Sequence, residues 1–145
     1  MVCLGNICRS PLAEGIMQKK INTLGLDWEV DSAGTGNYHI GDKPDPRSIE
    51  KAREYGLNIE HQRARQFTRE DFKKFDKILA MDTDNYTNII ALAESEADKL
   101  KVELIRNLSH PKQNLSVPDP YWDDDSFEEV YQMLDIACDS MIKII

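Results

Sequence analysis

The sequence predicts one α/β domain over residues 1–145, with a mostly parallel sheet that helices cover on both faces. Two observations favour this class. The chain has 145 residues, of which 41% are hydrophobic and 30% are charged, and these values are typical of a single globular domain. Short apolar runs alternate along the chain with segments of helical pattern, and strands that alternate with helices form parallel sheets.

The first strand and the first helix lie at the start of the chain. Residues 1–4 have the apolar character of a buried strand, and Gly5 then interrupts regular structure. Ser10 followed by Pro11 predicts the start of a helix, and Gly25 predicts its end. Because a central strand usually has about five residues, we expect residues 1–4 to form a shortened first strand.

A second strand, a long loop and a second helix follow. Trp28 and Val30 alternate with acidic residues, which is typical of a short strand. The loop of residues 34–46 is rich in Gly, Pro and Asp, and its length favours a functional role. The second helix begins at Pro46, a favoured first residue, and ends at Gly56.

The second half of the chain contains the remaining elements. We predict a helix from Thr68, a strand at residues 77–81, a helix at residues 82–92 and a strand at residues 102–105. Residues 126–129 have the pattern of a capping box, which predicts the start of the last helix. Its apolar residues recur at spacings of three and four: Phe127, Val130, Leu134, Cys138, Met141 and Ile145.

The charge of the chain restricts its partners. The formal net charge is −8, which argues against a nucleic-acid partner, since such partners need a basic face. Residues 1–75 carry 12 basic and 11 acidic side chains, whereas residues 76–145 carry 6 and 15, so we expect an anion-binding site in the first half. No stretch approaches the roughly 20 apolar residues of a membrane helix. We expect a cytoplasmic monomer with no membrane partner and with reduced cysteines.

The residues between the first strand and the first helix have the composition of an anion-binding loop. Gly5 and Asn6 tolerate positive φ, so the backbone can turn successive N–H groups inward, and the helix start adds further donors. Arg9 supplies a planar fork that matches two phosphate oxygens. The same positive charge favours the thiolate of Cys3, which predicts attack on phosphorus and a phosphocysteine. Ser10 is placed to hydrogen-bond the sulfur.

The pattern Cys3-x5-Arg9-Ser10 resembles the phosphate-binding loop of the low-molecular-weight protein tyrosine phosphatases. The resemblance continues through six further segments, at residues 11–14, 31–35, 43–47, 64–66, 81–82 and 119–121. It implies a four-stranded parallel sheet with the phosphate-binding loop between the first strand and the first helix. It also implies hydrolysis of phosphotyrosine monoesters without a metal or cofactor, with tyrosine-phosphorylated proteins or small aryl phosphates as partners.

The resemblance implies roles for residues outside the loop as well. Asp119 matches the general acid, which protonates the leaving phenolate and later activates the hydrolytic water. Three aromatic residues match walls around the substrate ring, or alternatively cover the domain's own surface. The residues expected to contact the substrate are Leu4, Gly5, Asn6, Ile7, Cys8, Ser10, Tyr38, Tyr121 and Trp122.

Some residues keep two interpretations. In relatives with the same pair, Cys8 forms a reversible disulfide with the nucleophile that prevents over-oxidation, and simple packing of Cys8 is the alternative. Gln62 stands where some members have a histidine that supports the loop through the equivalent of Ser32, and its role stays open. Cys138 is expected in the core, and no four-ligand set for zinc is present in the sequence. The histidines are predicted to be surface residues: His39, His61 and His110.

Three other functions share this scaffold or loop. Arsenate reductases need additional cysteines, and residues 78–86 and their surroundings contain none. Arginine phosphatases tend to have threonine where this chain has Ile7, whose apolar side chain suits a phenyl ring. A phosphate-binding or redox-sensing module without turnover is the non-enzymatic alternative. The presence of Cys3, Arg9 and Asp119 together argues against it.

Overall fold

Four parallel strands form one sheet in the order β2-β1-β3-β4. The strands are β1 (Val2–Cys3), β2 (Ala33–Gly34), β3 (Ile78–Ala80) and β4 (Val102–Leu104). The computed structural model describes residues 1–144, so the predicted packing of Ile145 lies outside the described residues. A four-stranded parallel sheet with helices on both faces confirms the predicted fold class.

The strand that precedes the candidate site occupies an inner position of the sheet. Val2 pairs with Ala33 of β2 on one side and with Ala80 of β3 on the other. The sheet therefore extends in both directions from β1, and ligands bind at such points, beyond the carboxyl ends of the strands. Cys3 is the last residue of β1, so the loop after it leaves the sheet at this position.

The second strand lies later in the chain than the sequence pattern predicts. Trp28 and Val30 are half-buried and pack against the core, but the paired strand is Ala33–Gly34. Backbone pairing explains the difference, because the first rung between β1 and β2 joins Val2 to Ala33. Residues 28–30 lie beyond this rung and have no neighbouring strand to bond.

One face of the sheet is covered by α1 (Arg9–Leu24), α2 (Pro46–Glu54) and α6 (Phe127–Ile144). The last helix begins directly after Ser126, as predicted. Its apolar stripe packs against α1 and the sheet, which explains why the spacing of three and four is so clear. The buried members of this stripe are Phe127, Val130, Leu134 and Cys138, and Met141 is half-buried.

The opposite face is covered by α3 (Glu70–Lys74) and α4 (Thr83–Ile90). Phe72 of α3 meets Phe67 edge-on, with ring centroids 5.3 Å apart. A further short helix, α5 (Glu96–Leu100), precedes β4 and was not predicted. None of its residues is buried, so it has no apolar stripe that the sequence pattern could reveal.

A cavity of about 520 Å³ lies at the amino ends of the strands, away from the loop after β1. Its walls come from residues 27–33 and 74–79, from Met1 and Val2, from Arg65, Phe67 and Asp71, and from side chains of α1 and α6. We call it the basal cavity. Among residues 1–144, no helix has the combination of length and apolar character that crossing a membrane requires.

Candidate active site

Residues 4–8 form the loop between β1 and α1, and several backbone carbonyls in and next to it are bound by the surrounding segments. Four carbonyl oxygens accept hydrogen bonds from neighbouring segments, and the pairs are Thr35 N to Cys3 O (2.9 Å), Gly36 N to Leu4 O (2.9 Å), Asp45 N to Ile7 O (2.8 Å) and Ser48 Oγ to Cys8 O (3.2 Å). Asn6 adopts the predicted left-handed conformation, with φ of 57°. Because the carbonyls face outward, the N–H groups of the loop are left to face an anion.

The Cys3 thiol lies beneath this loop and is 2% exposed. Its Sγ is 3.0 Å from the Oγ of Ser10, and the backbone N–H of Asn6 donates to it at 3.3 Å. Ser10 therefore contacts the sulfur, as the sequence predicts.

The side chain of Asn6 organises a buried network behind the loop. Its Nδ2 donates to Ser10 Oγ at 2.7 Å and to Ser32 Oγ at 3.0 Å, and Ser32 Oγ donates to Glu14 Oε1 at 2.8 Å. The backbone N–H of Arg65 donates to Asn6 Oδ1 at 3.0 Å, which fixes the orientation of the amide. Since Ser10 accepts from Asn6, its own proton is available for the Cys3 sulfur.

The side chains of this network lie away from the substrate cavity. Those of Asn6 and Ser10, both expected to contact substrate, are buried behind the loop and do not line the cavity above it, and contact through their backbone N–H groups stays a prediction. The left-handed turn at Asn6 explains this, because it directs the side chain toward Ser32. Glu14 received no role from the sequence, and burial raises the pKa of its carboxyl.

Arg9 is buried, and two groups from the second half of the chain hold its guanidinium. Nη1 donates to Asp82 Oδ2 at 2.7 Å and to the carbonyl of Val117 at 2.9 Å. The sequence did not assign these partners. Asp82 directly follows a predicted buried strand, which was the available signal, since residues after parallel strands gather at one edge of the sheet.

Asp119 reaches the same place from the segment before α6. The N–H of Val117 donates to the carbonyl of Met81 at 2.7 Å, which brings this segment beside the end of β3. The Asp119 side chain is 38% exposed, and its Oδ2 lies 3.9 Å from Arg9 Nη2. Its Oδ1 accepts the N–H of Tyr121 at 3.0 Å, which orients the carboxyl.

A cavity of about 260 Å³ opens above the loop and joins these groups. We call it the active-site cavity. Its lining includes Leu4, Gly5, Ile7, Cys8, Tyr38, Tyr121 and Trp122, in addition to Cys3, Arg9 and Asp119. The rings of Tyr121 and Trp122 meet edge-on with centroids 4.7 Å apart. Tyr38 and Trp122 are 72% and 86% exposed, so both lie at the mouth of the cavity.

The family model described as low molecular weight phosphotyrosine protein phosphatase matches residues 1–145. The chain belongs to this family. A putative low-molecular-weight protein-tyrosine-phosphatase from Synechocystis is 46% identical over 144 residues, which cover 97% of this chain and 91% of that relative. The pig low molecular weight phosphotyrosine protein phosphatase is 38% identical over 146 residues, with 98% and 91% covered.

Solved structures of the phosphatase family have the same fold. A protein tyrosine phosphatase from Entamoeba histolytica, with Hepes in the active site, is 37% identical with a TM-score of 0.90, and 98% of this chain and 92% of that chain are covered. The Drosophila arginine phosphatase is 29% identical with a TM-score of 0.91, and 99% and 94% are covered. The fold of the family therefore accompanies more than one named activity.

The cysteines of this family member differ in their surroundings. Cys3, Cys8 and Cys138 are all free thiols. Burial, assisted by the negative charge of Asp45, raises the pKa of the Cys8 thiol, so Cys8 is protonated at neutral pH. Burial also raises the pKa of Cys138 to about 12, as suits a residue of the core. The Cys3–Cys8 disulfide stays a prediction.

Gln62 supports the first turn of α1 and not the serine of the loop network. Its Nε2 donates to the carbonyl of Pro11 at 3.1 Å, and its buried Oε1 has no partner. Ser32 instead donates to Glu14. In this member of the family, the network behind the loop therefore ends on a carboxyl group of α1.

The surroundings of one histidine go beyond the prediction. His39 is partly exposed, in keeping with the predicted surface position, and it also lines the active-site cavity. The long loop of residues 34–46 folds back over residues 4–8, and this return is a tertiary feature that the scattered positions of the histidines could not reveal. Within residues 1–144, no group of three or more His, Cys, Asp or Glu side chains is arranged to hold a metal ion.

Proposed function

We propose that the chain hydrolyses phosphotyrosine and other aryl phosphate monoesters through a phosphocysteine formed on Cys3. One observation supports this most directly. The Cys3 sulfur lies at the floor of a cavity that Arg9, Asp119 and aromatic residues also line. Nucleophile, phosphate clamp and acid therefore face one volume, as a two-step displacement requires.

In the first step, Cys3 attacks the phosphorus while the loop binds the phosphate oxygens. Arg9 uses Nη1 to hold Asp82 and Val117, which leaves Nε and Nη2 for two phosphate oxygens. Asp119 donates its proton to the departing phenolate. Positioned proton transfer of this kind contributes about 10²–10⁴-fold to the rate.

In the second step, the Asp119 carboxylate takes a proton from water, and the water attacks the phosphocysteine. Cys3 then leaves as a thiolate. Ser10 donates its hydrogen bond to the departing sulfur, because its hydroxyl already accepts from Asn6. We further propose that the protein works in a reducing compartment, since the reaction consumes and regenerates a free thiolate.

The walls of the cavity favour an aryl phosphate. Ile7 presents an apolar surface beside the loop, and Tyr38, Tyr121 and Trp122 surround the mouth. A phenyl ring can fill this space, whereas phosphoserine is too short to bring its phosphate to Cys3 and contact the walls. Phosphoarginine is the second candidate substrate, because the Drosophila arginine phosphatase shares the fold.

The test compares substrates and a nucleophile variant on p-nitrophenyl phosphate in EDTA. We expect a burst of p-nitrophenol and turnover without added metal, and we expect Cys3→Ser to lose roughly a thousandfold or more in kcat. Cys138→Ala serves as the control for removal of a buried thiol. Phosphotyrosine should exceed phosphoserine and phosphoarginine in kcat/KM. Normal turnover by Cys3→Ser, or a preference for phosphoarginine, would contradict the proposal.

A further inference from the structure

His39 lies in a turn whose backbone is anchored on both sides. The N–H of Asp42 donates to the His39 carbonyl at 2.9 Å. Ala64 then holds the turn, because Gly41 N donates to the Ala64 carbonyl and Ala64 N donates to the Asp42 carbonyl, each at 2.8 Å. These bonds fix the position from which the imidazole projects.

The two edges of the imidazole face different groups. On one edge, Nδ1 lies 3.3 Å from Asp42 Oδ2. On the other edge, Cδ2 is 3.0 Å and Nε2 is 3.8 Å from the position that a Cβ on Gly5 would occupy. The ring therefore bridges Asp42 and the phosphate-binding loop, and the side chain is 33% exposed. Nε2 lies on the side of the loop, at the rim of the active-site cavity.

The charges around His39 determine what Nε2 can do. Asp42 is the acidic partner on its own turn. The charged or titratable groups that share the cavity with His39 are Cys3, Cys8, Arg9 and Asp119, together with the phenols of Tyr38 and Tyr121. When Nδ1–H bonds Asp42, a neutral ring offers only a lone pair at Nε2, whereas a protonated ring offers an N–H there. Protonation thus converts Nε2 from an acceptor into a cationic donor.

We propose that His39 is a specificity-determining residue that selects phosphotyrosine sites with an acidic side chain beside the phosphotyrosine. This proposal rests on the proposed function. The phosphate binds at the floor of the cavity, which Cys3 and Arg9 form. The imidazole at the rim therefore contacts the substrate residue next to the phosphotyrosine. On the other side of the cavity, Asp119 lines the wall and three more aspartates follow it at residues 123–125, outside the lining. Their negative charge repels an acidic side chain and leaves the His39 side as its favourable position.

The preference for an acidic neighbour depends on pH, because it requires a protonated His39. A cationic His39 attracts a carboxylate, so the preference is full at low pH and is lost as pH rises and the ring becomes neutral. The phosphate group also titrates near pH 6, but this change is common to any two phosphotyrosine peptides and cancels in their ratio.

The experiment measures kcat and KM for two phosphotyrosine peptides that differ only by Glu or Gln next to the phosphotyrosine, between about pH 5 and 8. For the unaltered protein, we expect KM for the Glu peptide to be roughly two- to fivefold lower at the acidic end. The ratio should approach one at the alkaline end, with similar kcat values. His39→Gln should give a ratio near one throughout. His110→Gln is the matched control and should behave like the unaltered protein.

The outcomes separate this proposal from the one on which it rests. Normal turnover of p-nitrophenyl phosphate with a Glu-to-Gln ratio that is insensitive to pH would overturn the role of His39 alone. A preference retained in His39→Gln would do the same. Failure of the unaltered protein to hydrolyse any aryl phosphate would overturn both proposals.

Discussion

A single asparagine sets the direction of the hydrogen bonds behind the phosphate-binding loop. Asn6 receives the N–H of Arg65 on Oδ1, so both protons of its Nδ2 point to hydroxyl groups. Ser10 then has only its own proton to offer, and the Cys3 sulfur, at 3.0 Å, is nearer to its Oγ than the Ala33 carbonyl oxygen at 3.5 Å. A strained left-handed residue is tolerated here, since the order of these bonds depends on it.

Asp119→Asn tests the acid at the scale of one residue. The amide keeps the size of the carboxyl but cannot donate a proton to the leaving group, so kcat should fall by about 10²–10⁴-fold for phosphotyrosine. The loss should be smaller for p-nitrophenyl phosphate, whose phenolate leaves easily. Steady-state kinetics on both substrates measure the difference.

Asp123→Asn is the control for that substitution. Asp123 lies close in sequence, but its side chain accepts bonds from Asp125 N and Ser126 Oγ and does not line the active-site cavity. We expect nearly unchanged kinetics. Equal losses on both substrates in Asp119→Asn would argue against proton donation by this residue.

At the residue scale, contacts between residues that are close in the chain are predictable from the sequence. Contacts between residues that are far apart in the chain are not. Cys3, Asn6 and Ser10 lie within eight residues of one another, and the turn chemistry of Asn6 was readable directly. Asp82 and the Val117 carbonyl reach Arg9 over separations of 73 and 108 residues. No local pattern encodes such contacts.

At the scale of elements, α2 holds the phosphate-binding loop from outside. Asp45 is the N-cap of α2 and accepts the N–H of Arg47 at 2.8 Å. The N–H of Asp45 donates to the Ile7 carbonyl, and the Ser48 hydroxyl donates to the Cys8 carbonyl. The start of this helix thus holds two carbonyls of the loop in outward-facing positions.

Asp45→Ala should lower the free energy of unfolding by about 1–2 kcal/mol at neutral pH, because it removes the cap. The hydrogen bond from Arg47 lowers the pKa of the Asp45 carboxyl below its ordinary 3.8. Its contribution is therefore present above that ordinary value and is lost as pH falls through the lower, folded value. Urea unfolding of both proteins at neutral pH and in acid measures the difference.

Asp124→Ala provides the comparison for this cap. Asp124 also pairs with Arg47, at 2.5 Å, but its side chain is 81% exposed, so its removal should change stability by well under 1 kcal/mol. A cost for Asp45→Ala that is equally small, or that does not shrink in acid, would contradict the role assigned to Asp45.

Elements with a buried face were predictable, and those without one were not. The apolar stripe of α6 repeats along the whole helix, so the sequence pattern predicts this helix clearly. The exposed α5 has no stripe. The alternation around Trp28 predicts a strand, but strand pairing depends on a neighbouring strand, and β1 pairs with Ala33 and Gly34 instead.

At the scale of the whole molecule, the two ends of the sheet differ. The carboxyl ends carry the active-site cavity, whereas the amino ends carry the basal cavity of about 520 Å³. The basal cavity is lined by apolar side chains such as Val30, Phe75 and Ile78 and also by charged ones such as Asp31 and Lys77. Its apolar walls can bury further apolar side chains.

Three or four apolar residues added before Met1 should extend β1 into the basal cavity and stabilise the protein. Each buried methylene contributes about 0.8 kcal/mol, and we expect the Tm to rise by about 4 °C or more. Differential scanning calorimetry measures the change. A Gly/Ser extension of equal length is the control, and equal Tm values for both extensions would show that the cavity does not accept a strand.

The contrast between the two ends also places the two tryptophans of the chain in separate optical environments. Trp122 is 86% exposed at the mouth of the active-site cavity, and Trp28 is half-buried in the wall of the basal cavity. The intrinsic fluorescence of this protein therefore has two components, of which one reports on the approach of a ligand and the other on the packing of the opposite end. Each signal can be isolated by replacing the other indole.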